Sequence, residues 1–162
     1  MSLQYIIDAY NVINHPQFRP GVKKSSSIQS LLADFIRSNR LSGSRKNKVI
    51  IVFDGYPPHG EKMPEDAGLS CLFSRMIEAD EMIKKLVEES GQPRNIIVVS
   101  DDRAVQSAVR ILGARISGVE EFICGRKSLR ALDYRCQERE ESKVSYSKME
   151  EINAELRRKW LK

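Results

Sequence analysis

Apolar and polar positions follow two different periods along the first 125 residues. Short runs in which nearly every residue is apolar predict β-strands that are buried on both faces. Between these runs, apolar residues recur every three or four positions, which predicts amphipathic helices. Strands are predicted at LQYIID, KVIIVFDG, LSCLFS, NIIVVS and ARIS.

Capping residues and breakers place the ends of the helices. The segment AYNVINHPQFRPGVKKSSS contains two prolines and a glycine, and it is predicted to be a loop. One helix is predicted from about Ser27 to before Gly43, a second over EADEMIKKLVEES, and a third from Asp101 or Asp102 to before Gly113.

This alternation of apolar strands and amphipathic helices predicts an α/β fold with a central parallel sheet covered on both faces. The pattern ends near Gly125, which predicts a domain over residues 1–125. Residues 126–162 are dense in charge and form a predicted C-terminal extension. Ser147 and Glu150 match a capping box there, opening a final helix with an apolar stripe that reaches Trp160.

Composition narrows the class of protein. Hydrophobic residues make up 41% and charged residues 30% of the 162 residues, as in a globular domain with its own core. No apolar run approaches the roughly 20 residues that span a membrane, and the N-terminus lacks the basic region of a signal peptide. Three cysteines without a CxxC pattern argue against a disulfide framework or a zinc site. We therefore expect a cytoplasmic protein without a membrane partner.

The basic residues are unevenly distributed. The formal net charge is +5, and the stretch from Arg19 to Lys48 contains only one acidic residue, Asp34. This asymmetry is typical of a protein that binds a phosphate-rich partner. The basic residues of the stretch are Arg19, Lys23, Lys24, Arg37, Arg40, Arg45, Lys46 and Lys48.

Acidic residues follow three of the predicted strands. Asp8, Asp54 and Asp101 stand at strand ends, and Asp80 stands at the start of a predicted helix. In open parallel sheets the functional crevice lies at the carboxyl ends of the strands, so we expect these groups to lie together. Crowded carboxylates raise each other's pKa unless a cation neutralises them, and oxygen ligands suit Mg²⁺ or Mn²⁺.

Each of these aspartates also has a purely structural interpretation. Asp8 or Asp54 would serve as a turn residue after its strand, and Asp80 as a favourable carboxylate in the first turn of a helix. One of Asp101 and Asp102 is expected to be a helix N-cap. Asp101 is the favoured ligand because it is nearer to the strand.

A metal centre of this kind would support attack of water on phosphorus. Bound ions lower the pKa of a water molecule and stabilise the charge that builds up in an in-line displacement. The protein contributes positioning and electrostatics, so no nucleophilic serine or cysteine is required. Basic residues beside the acidic centre would hold a phosphate backbone.

Four blocks, IIDAYNVI, VIIVFDG, EADEMIKKLV and IIVVSDDRAVQ, carry a resemblance to a known family. In this order and spacing, they resemble the YacP-like branch of the NYN-domain proteins, within the PIN-like nuclease superfamily. The resemblance covers roughly the first 125 residues. Two positions depart from the family's pattern, because Ala9 stands where glycine is frequent and Asp102 where an aromatic residue is often found.

The resemblance implies a PIN-like three-layer sandwich and Mg²⁺- or Mn²⁺-dependent endonucleolytic cleavage of RNA. It implies that Asp8, Asp80 and Asp101 are the catalytic metal ligands, supported by Asn11 and Asp54. Glu81 and Asp102 are expected to add negative charge beside them. Relatives are associated with RNA turnover and with ribosomes. The residues expected to bind RNA are Arg19, Lys23, Lys24, Arg45 and Lys46.

Two other classes of function fit parts of the sequence. A catalytically silent RNA- or ribosome-binding module would keep the fold and use the basic stretch, although such a module gains nothing from clustered carboxylates. A phosphoryl-transfer domain of the response-regulator type also places aspartates at strand ends. That class needs an acidic pair after the first strand, where this chain has only Asp8.

Overall fold

The structure is a computed structural model that describes residues 2–21, 27–58 and 68–125. These residues belong to one compact unit, Met1–Gly125. The strands are β1 (Gln4–Asp8), β2 (Lys48–Phe53), β3 (Leu69–Phe73), β4 (Ile96–Val99) and β5 (Arg115–Ser117). The helices are α1 (Ala9–Ile13), α2 (Ile28–Ser38), α3 (Ala79–Glu88) and α4 (Arg103–Ile111), with a 3₁₀ turn at Pro93–Asn95 and a helical segment over residues 119–125.

The five strands form one parallel sheet in the order β3-β2-β1-β4-β5. In the register of the sheet, Asp8 lies opposite Val52 of β2, and Ile7 lies opposite Val99 of β4. The carboxyl ends of these strands therefore meet at one edge, which we call the carboxyl edge. At roughly 3.3 Å per residue, β2 separates this edge from the opposite, amino edge by about 17 Å.

Helices cover both faces of the sheet. Successive side chains of a strand point to opposite faces, so Ile7 packs with Leu32 of α2 on one face, and Ile6 packs with Ile83 of α3 on the other. All four side chains are fully buried, and each such burial stabilises the fold by about 1.5–3 kcal/mol. The predicted α/β fold, with a parallel sheet between two helical layers, is confirmed.

Helix α1 is an element that the sequence pattern did not predict. The prediction of a loop from residue 9 is wrong for Ala9–Ile13, which form a short helix. Asp8 caps this helix by accepting a hydrogen bond from the backbone N–H of Asn11. Ala9 and Val12 are fully buried, so packing against the sheet stabilises a helix that is too short to be stable alone.

Helices α2 and α4 end in the same hydrogen-bonding motif with different residues. In α4, Gly113 adopts a left-handed conformation, and the N–H groups of Gly113 and Ala114 donate to the carbonyls of Arg110 and Val109. In α2 the equivalent left-handed position is Arg40, with φ of 51°. The N–H groups of Arg40 and Leu41 donate to the carbonyls of Arg37 and Ile36 in the same way.

Several predicted features lie outside the described residues. They include Lys23, Lys24 and the final helix from Ser147 to Trp160. Within the described ranges, no helix has the length and apolar character needed to cross a bilayer.

Candidate active site

Asp8 lies at the centre of the carboxyl edge. It is the last residue of β1 and the N-cap of α1, and it is only 4% exposed. Its Oδ1 accepts from the backbone N–H of Asn11, and its Oδ2 accepts from the side-chain amide of Asn11 and, at 3.4 Å, from the Ser100 hydroxyl. Burial raises the pKa of Asp8, while the hydrogen bonds from Asn11 and Ser100 act in the opposite direction.

The Asn11 side chain joins two strand ends. Its amide nitrogen donates to Asp8 at the end of β1, and its Oδ1 accepts from the backbone N–H of Asp101, 3.1 Å away, just after β4. Because both ends of the amide are used, the side chain fixes the distance between the two chain segments. The structure therefore brings Asn11 together with Asp8 and with the backbone of Asp101, as a supporting residue would require.

Ser100 also belongs to the site, although no contact was predicted for it from the sequence. It is fully buried, and its hydroxyl lies within hydrogen-bond distance of both Asp8 and the backbone N–H of Asp102. Its carbonyl accepts from the side chain of Gln106 at 2.7 Å. Two signals for it are present in the sequence, namely a polar residue at the end of an otherwise apolar strand and its position in the block IIVVSDDRAVQ.

Asp80 is in the first turn of α3, where Glu78 is the N-cap position. Partial burial raises the pKa of Asp80, and the negative charges of Asp102 and then Asp8 raise it further. The Lys84 ammonium opposes this effect. Two carboxylates, from β1 and the start of α4, therefore act electrostatically on Asp80, and we call Asp8, Asp80 and Asp102 the acidic cluster.

Asp101 and Asp102 have different contacts. Asp102 is the N-cap of α4, and its Oδ1 accepts from the backbone N–H groups of Ala104 and Val105. The Oδ1 of Asp101 accepts from the backbone N–H of Val119 at 2.9 Å, beyond β5. The interpretation of Asp102 as a helix cap is confirmed, but its charge also acts on Asp80. The role of Asp101 as a metal ligand stays a prediction.

Asp54 and Glu81 are placed by neighbours other than the acidic cluster. Asp54 is exposed and accepts from the buried hydroxyl of Ser74 at 2.8 Å, and Ser74 also accepts from the N–H of Gly55. These bonds tie the end of β2 to the end of β3. Glu81 forms an ion pair with Lys84 on the surface of α3, with an N–O distance of 2.7 Å.

A cavity of about 290 Å³ opens beside Asp101. It is lined by Tyr10, Asn11, Asn14, His15, Pro16 and Asp101. Tyr10 is 45% exposed, and its ring packs against Phe53 in an edge-to-face arrangement. No role is predicted from the sequence pattern for His15, although it lines this cavity.

The structure describes three of the five basic residues predicted to bind RNA. Arg19 is exposed and follows the segment that carries His15. Arg45 and Lys46 are also exposed but precede β2, which places them at the amino edge of the sheet. They therefore do not border the acidic cluster, as a basic rim around the carboxylates would require.

The acidic cluster offers only oxygen ligands, which is the donor set that Mg²⁺ and Mn²⁺ prefer. Among the residues that the structure describes, no three His, Cys, Asp or Glu side chains are arranged to enclose a metal ion. A complete protein cage is not the usual Mg²⁺ site, because this ion commonly takes one or two carboxylates and keeps several water molecules. The donor chemistry therefore fits such an ion.

Comparison with known proteins identifies the family of the chain. The family model described as the YacP-like NYN domain matches residues 5–162. The chain belongs to this family. As a YacP-like NYN domain it is a nuclease-like, RNA-related protein. The match continues to residue 162, and the domain boundary near Gly125 stays a prediction.

Solved structures support the fold of this YacP-like NYN domain. The crystal structure of Rae1 (YacP) from Bacillus subtilis has a TM-score of 0.57 and 22% sequence identity, covering 99% of this chain and 96% of that chain. A tryptophan-to-leucine variant of the same protein has a TM-score of 0.55 and 24% identity, covering 91% and 88%. No curated protein is significantly similar in sequence.

Proposed function

We propose that this YacP-like NYN domain is a divalent-metal-dependent endoribonuclease that acts in RNA turnover or processing. The observation that carries the proposal is the pKa of Asp80, which burial and the charges of Asp102 and Asp8 raise together. Ionised carboxylates in such an arrangement repel one another, and a divalent cation would remove this cost. The family membership supports RNA as the substrate.

We propose Asp8 and Asp80 as the residues that hold Mg²⁺ or Mn²⁺, with Asp101 as the third predicted ligand and Asp102 as an added charge. When bound, the ion would lower the pKa of a water molecule and stabilise the charge that develops on the phosphate. Asn11 and Ser100 keep the Asp8 carboxylate in a fixed orientation through their hydrogen bonds. A fixed orientation costs no reorganisation at the moment of reaction.

We propose that the cavity beside Asp101 binds a nucleotide next to the cleaved bond. Unpaired RNA bases stack on aromatic side chains, and Tyr10 offers a partly exposed ring held in place by Phe53. His15 Nδ1 accepts from the backbone N–H of Gln17, so its other ring nitrogen carries the proton in the neutral ring. That N–H would be a donor for a phosphate or a base.

Replacing Asp80 with asparagine tests the proposal. Asp80→Asn keeps the size of the side chain but removes its charge, and it should abolish Mn²⁺-dependent cleavage of single-stranded RNA. The circular dichroism spectrum should be unchanged, because Asp80 is not the N-cap of α3. Cleavage would be measured with labelled RNA over a range of Mn²⁺ concentrations.

Glu88→Gln is a matched control for this experiment. Glu88 is an exposed carboxylate on the same helix, at its opposite end, so its replacement should leave the cleavage rate unchanged. Cleavage by Asp80→Asn at the rate of the parent protein would refute the assignment of the acidic cluster.

A catalytically silent RNA-binding module is the second candidate. One observation favours it, namely that the described residues contain no ready-made group of three metal-binding side chains. The two candidates differ in metal binding, so titration of the protein with Mn²⁺ by calorimetry separates them. The nuclease should show a site that Asp80→Asn removes, and a silent module should show none.

The proposal also covers the location of the protein in the cell and its partners. We propose a cytoplasmic protein, since the cysteine usage suits a reducing compartment. Association with ribosomes remains a prediction of the family resemblance, and Arg19, Lys23, Lys24, Arg45 and Lys46 remain the predicted RNA contacts.

A further inference from the structure

A second polar feature lies at the amino edge of the sheet, away from the acidic cluster. A groove of about 710 Å³ opens between the end of α2 and the first residues of β2 and β3. Its lining includes three arginines and several apolar residues, and the apolar side chains are almost fully buried. We call it the arginine groove, and its principal residues are Arg37, Arg40, Arg45, Ile36, Val49 and Leu69.

The sheet register separates the groove from the proposed cleavage site. Val49 lies opposite Leu69 at the start of the parallel strands, whereas Asp8 lies opposite Val52 near their end. The two sites are thus at opposite edges, and the strands between them span about 17 Å. A ligand of the groove is therefore not simply the group that is being cleaved.

The backbone of Arg40 points to a role for its side chain. Arg40 is in a left-handed conformation at the end of α2, where the equivalent position at the end of α4 is Gly113. A residue with a Cβ is strained in this conformation, because the Cβ lies too close to the following carbonyl oxygen. Such strain at a position that glycine would fill more easily suggests that the arginine side chain itself is needed.

The loop between α2 and β2 is held in a defined shape. The side chain of Asn47 accepts from the N–H of Leu3 at 2.9 Å and donates to the carbonyl of Ser42 at 2.7 Å. The N–H of Gly43 donates to the carbonyl of Arg40. These bonds fix the backbone that presents Arg40 and Arg45, so little conformational entropy is lost when a ligand binds.

We infer that the arginine groove binds the phosphate backbone of RNA at a distance from the cleavage site. Guanidinium groups match phosphate oxygens with paired hydrogen bonds, and no acidic side chain is among the described residues that line the groove. Arg37 forms an ion pair with Asp34 at 3.8 Å, so Arg40 and Arg45 are the principal contacts. The identity of the ligand as RNA rests on the proposed function.

Variants of Arg40 separate charge from backbone strain. Arg40→Gly removes the charge and the strain, Arg40→Gln removes only the charge, and Arg40→Lys keeps a charge. Binding of a long unstructured RNA to the full chain would be followed by fluorescence anisotropy without divalent metal, so that no cleavage occurs. Thermal unfolding of the same variants would report the strain.

The glycine variant should bind RNA about five- to tenfold more weakly and yet unfold about 2–4 °C higher than the parent protein. The glutamine variant and Arg45→Ala should lose similar affinity without the gain in Tm. The lysine variant should bind closest to the parent. Each loss of charge should also lower the dependence of binding on salt by about one phosphate contact. A short oligonucleotide should be less affected, because it cannot reach between the two edges.

Arg110→Ala is the matched control, because Arg110 is an exposed arginine on α4. Equal losses of RNA affinity in Arg110→Ala and Arg45→Ala would overturn the inference. Unchanged RNA affinity in Arg40→Gln and Arg45→Ala would also overturn it. Competition by an acidic peptide as strong as that by RNA would assign the groove to a protein partner instead. If the parent protein binds RNA through the groove but never cleaves it, the proposed function fails and the groove assignment stands.

Discussion

At the scale of single residues, the candidate site depends on side chains that serve two neighbours at once. Asn11 contacts both Asp8 and the backbone of Asp101, and Ser100 contacts both Asp8 and the backbone of Asp102. Asp8 and Asn11 could be predicted from the sequence because they follow an apolar strand. Their pairing could not, since the direction of a side chain depends on which strand ends the fold brings beside it.

Replacing Asn11 with alanine should destabilise the protein. Asn11→Ala leaves the buried Asp8 carboxylate and the N–H of Asp101 without their amide partner, at a cost of about 1–3 kcal/mol in the free energy of unfolding. Urea denaturation would measure this change. Asn39→Ala is the comparison, because Asn39 donates to a carbonyl at an exposed helix end and should cost less. Equal stability of Asn11→Ala and the parent would contradict the bridging role.

At the scale of secondary-structure elements, strands were easier to predict than short helices. The three central strands are buried on both faces, so nearly all their residues are apolar and the signal is continuous. Helix α1 has only five residues and buries only Ala9 and Val12, which is too little to produce a helical repeat. Its existence depends on the cap by Asp8 and on tertiary packing.

Helix α4 allows the cap and the charge of Asp102 to be separated. Asparagine caps helices about as well as aspartate, so Asp102→Asn should keep the stability of the protein, while Asp102→Ala should lose about 1 kcal/mol. Both variants remove the charge that raises the pKa of Asp80, so that pKa should fall in each. Carbon-detected NMR titration of the Asp80 carboxyl would follow the shift. An unchanged Asp80 titration in both variants would show that Asp102 is not part of the acidic cluster.

At the scale of the whole described fold, the acidic cluster and the arginine groove lie at opposite edges of the sheet. The sequence shows that Arg45 precedes, and Asp54 follows, the same strand, which separates these two residues along β2. The parallel arrangement of the five strands adds that Asp8, at the end of β1, lies at the same edge as Asp54 and therefore away from Arg45. The basic rim expected around the carboxylates is for this reason absent at Arg45 and Lys46.

The acidic cluster should make stability depend on pH and on metal. The folded-state pKa of Asp80 is raised above 3.8, so its ionisation disfavours the folded state, and the penalty grows from pH 3.8 until the pH exceeds the raised pKa. Asp80→Asn should therefore unfold at a higher temperature than the parent at neutral pH, and the difference should vanish below pH 3.8.

Mn²⁺ should counteract this difference in stability between Asp80→Asn and the parent protein. At about 100 times its Kd, a ligand of the folded state stabilises by about 2.7 kcal/mol, or roughly 5–10 °C in Tm for a chain of this size. The parent should gain this at neutral pH and Asp80→Asn should not. Differential scanning fluorimetry with and without Mn²⁺ measures both effects, and an equal gain in the two proteins would place the ion elsewhere.

The double position of Asp8, at the end of β1 and the start of α1, affects what mutation can do to this chain over evolutionary time. A descendant without the proposed catalysis would still need an oxygen acceptor there to begin the helix, so drift at this position is restricted to residues such as asparagine or serine. Asp80 begins no helix, and its charge opposes folding. Its retention in a lineage is therefore the better sign that the chemistry persists.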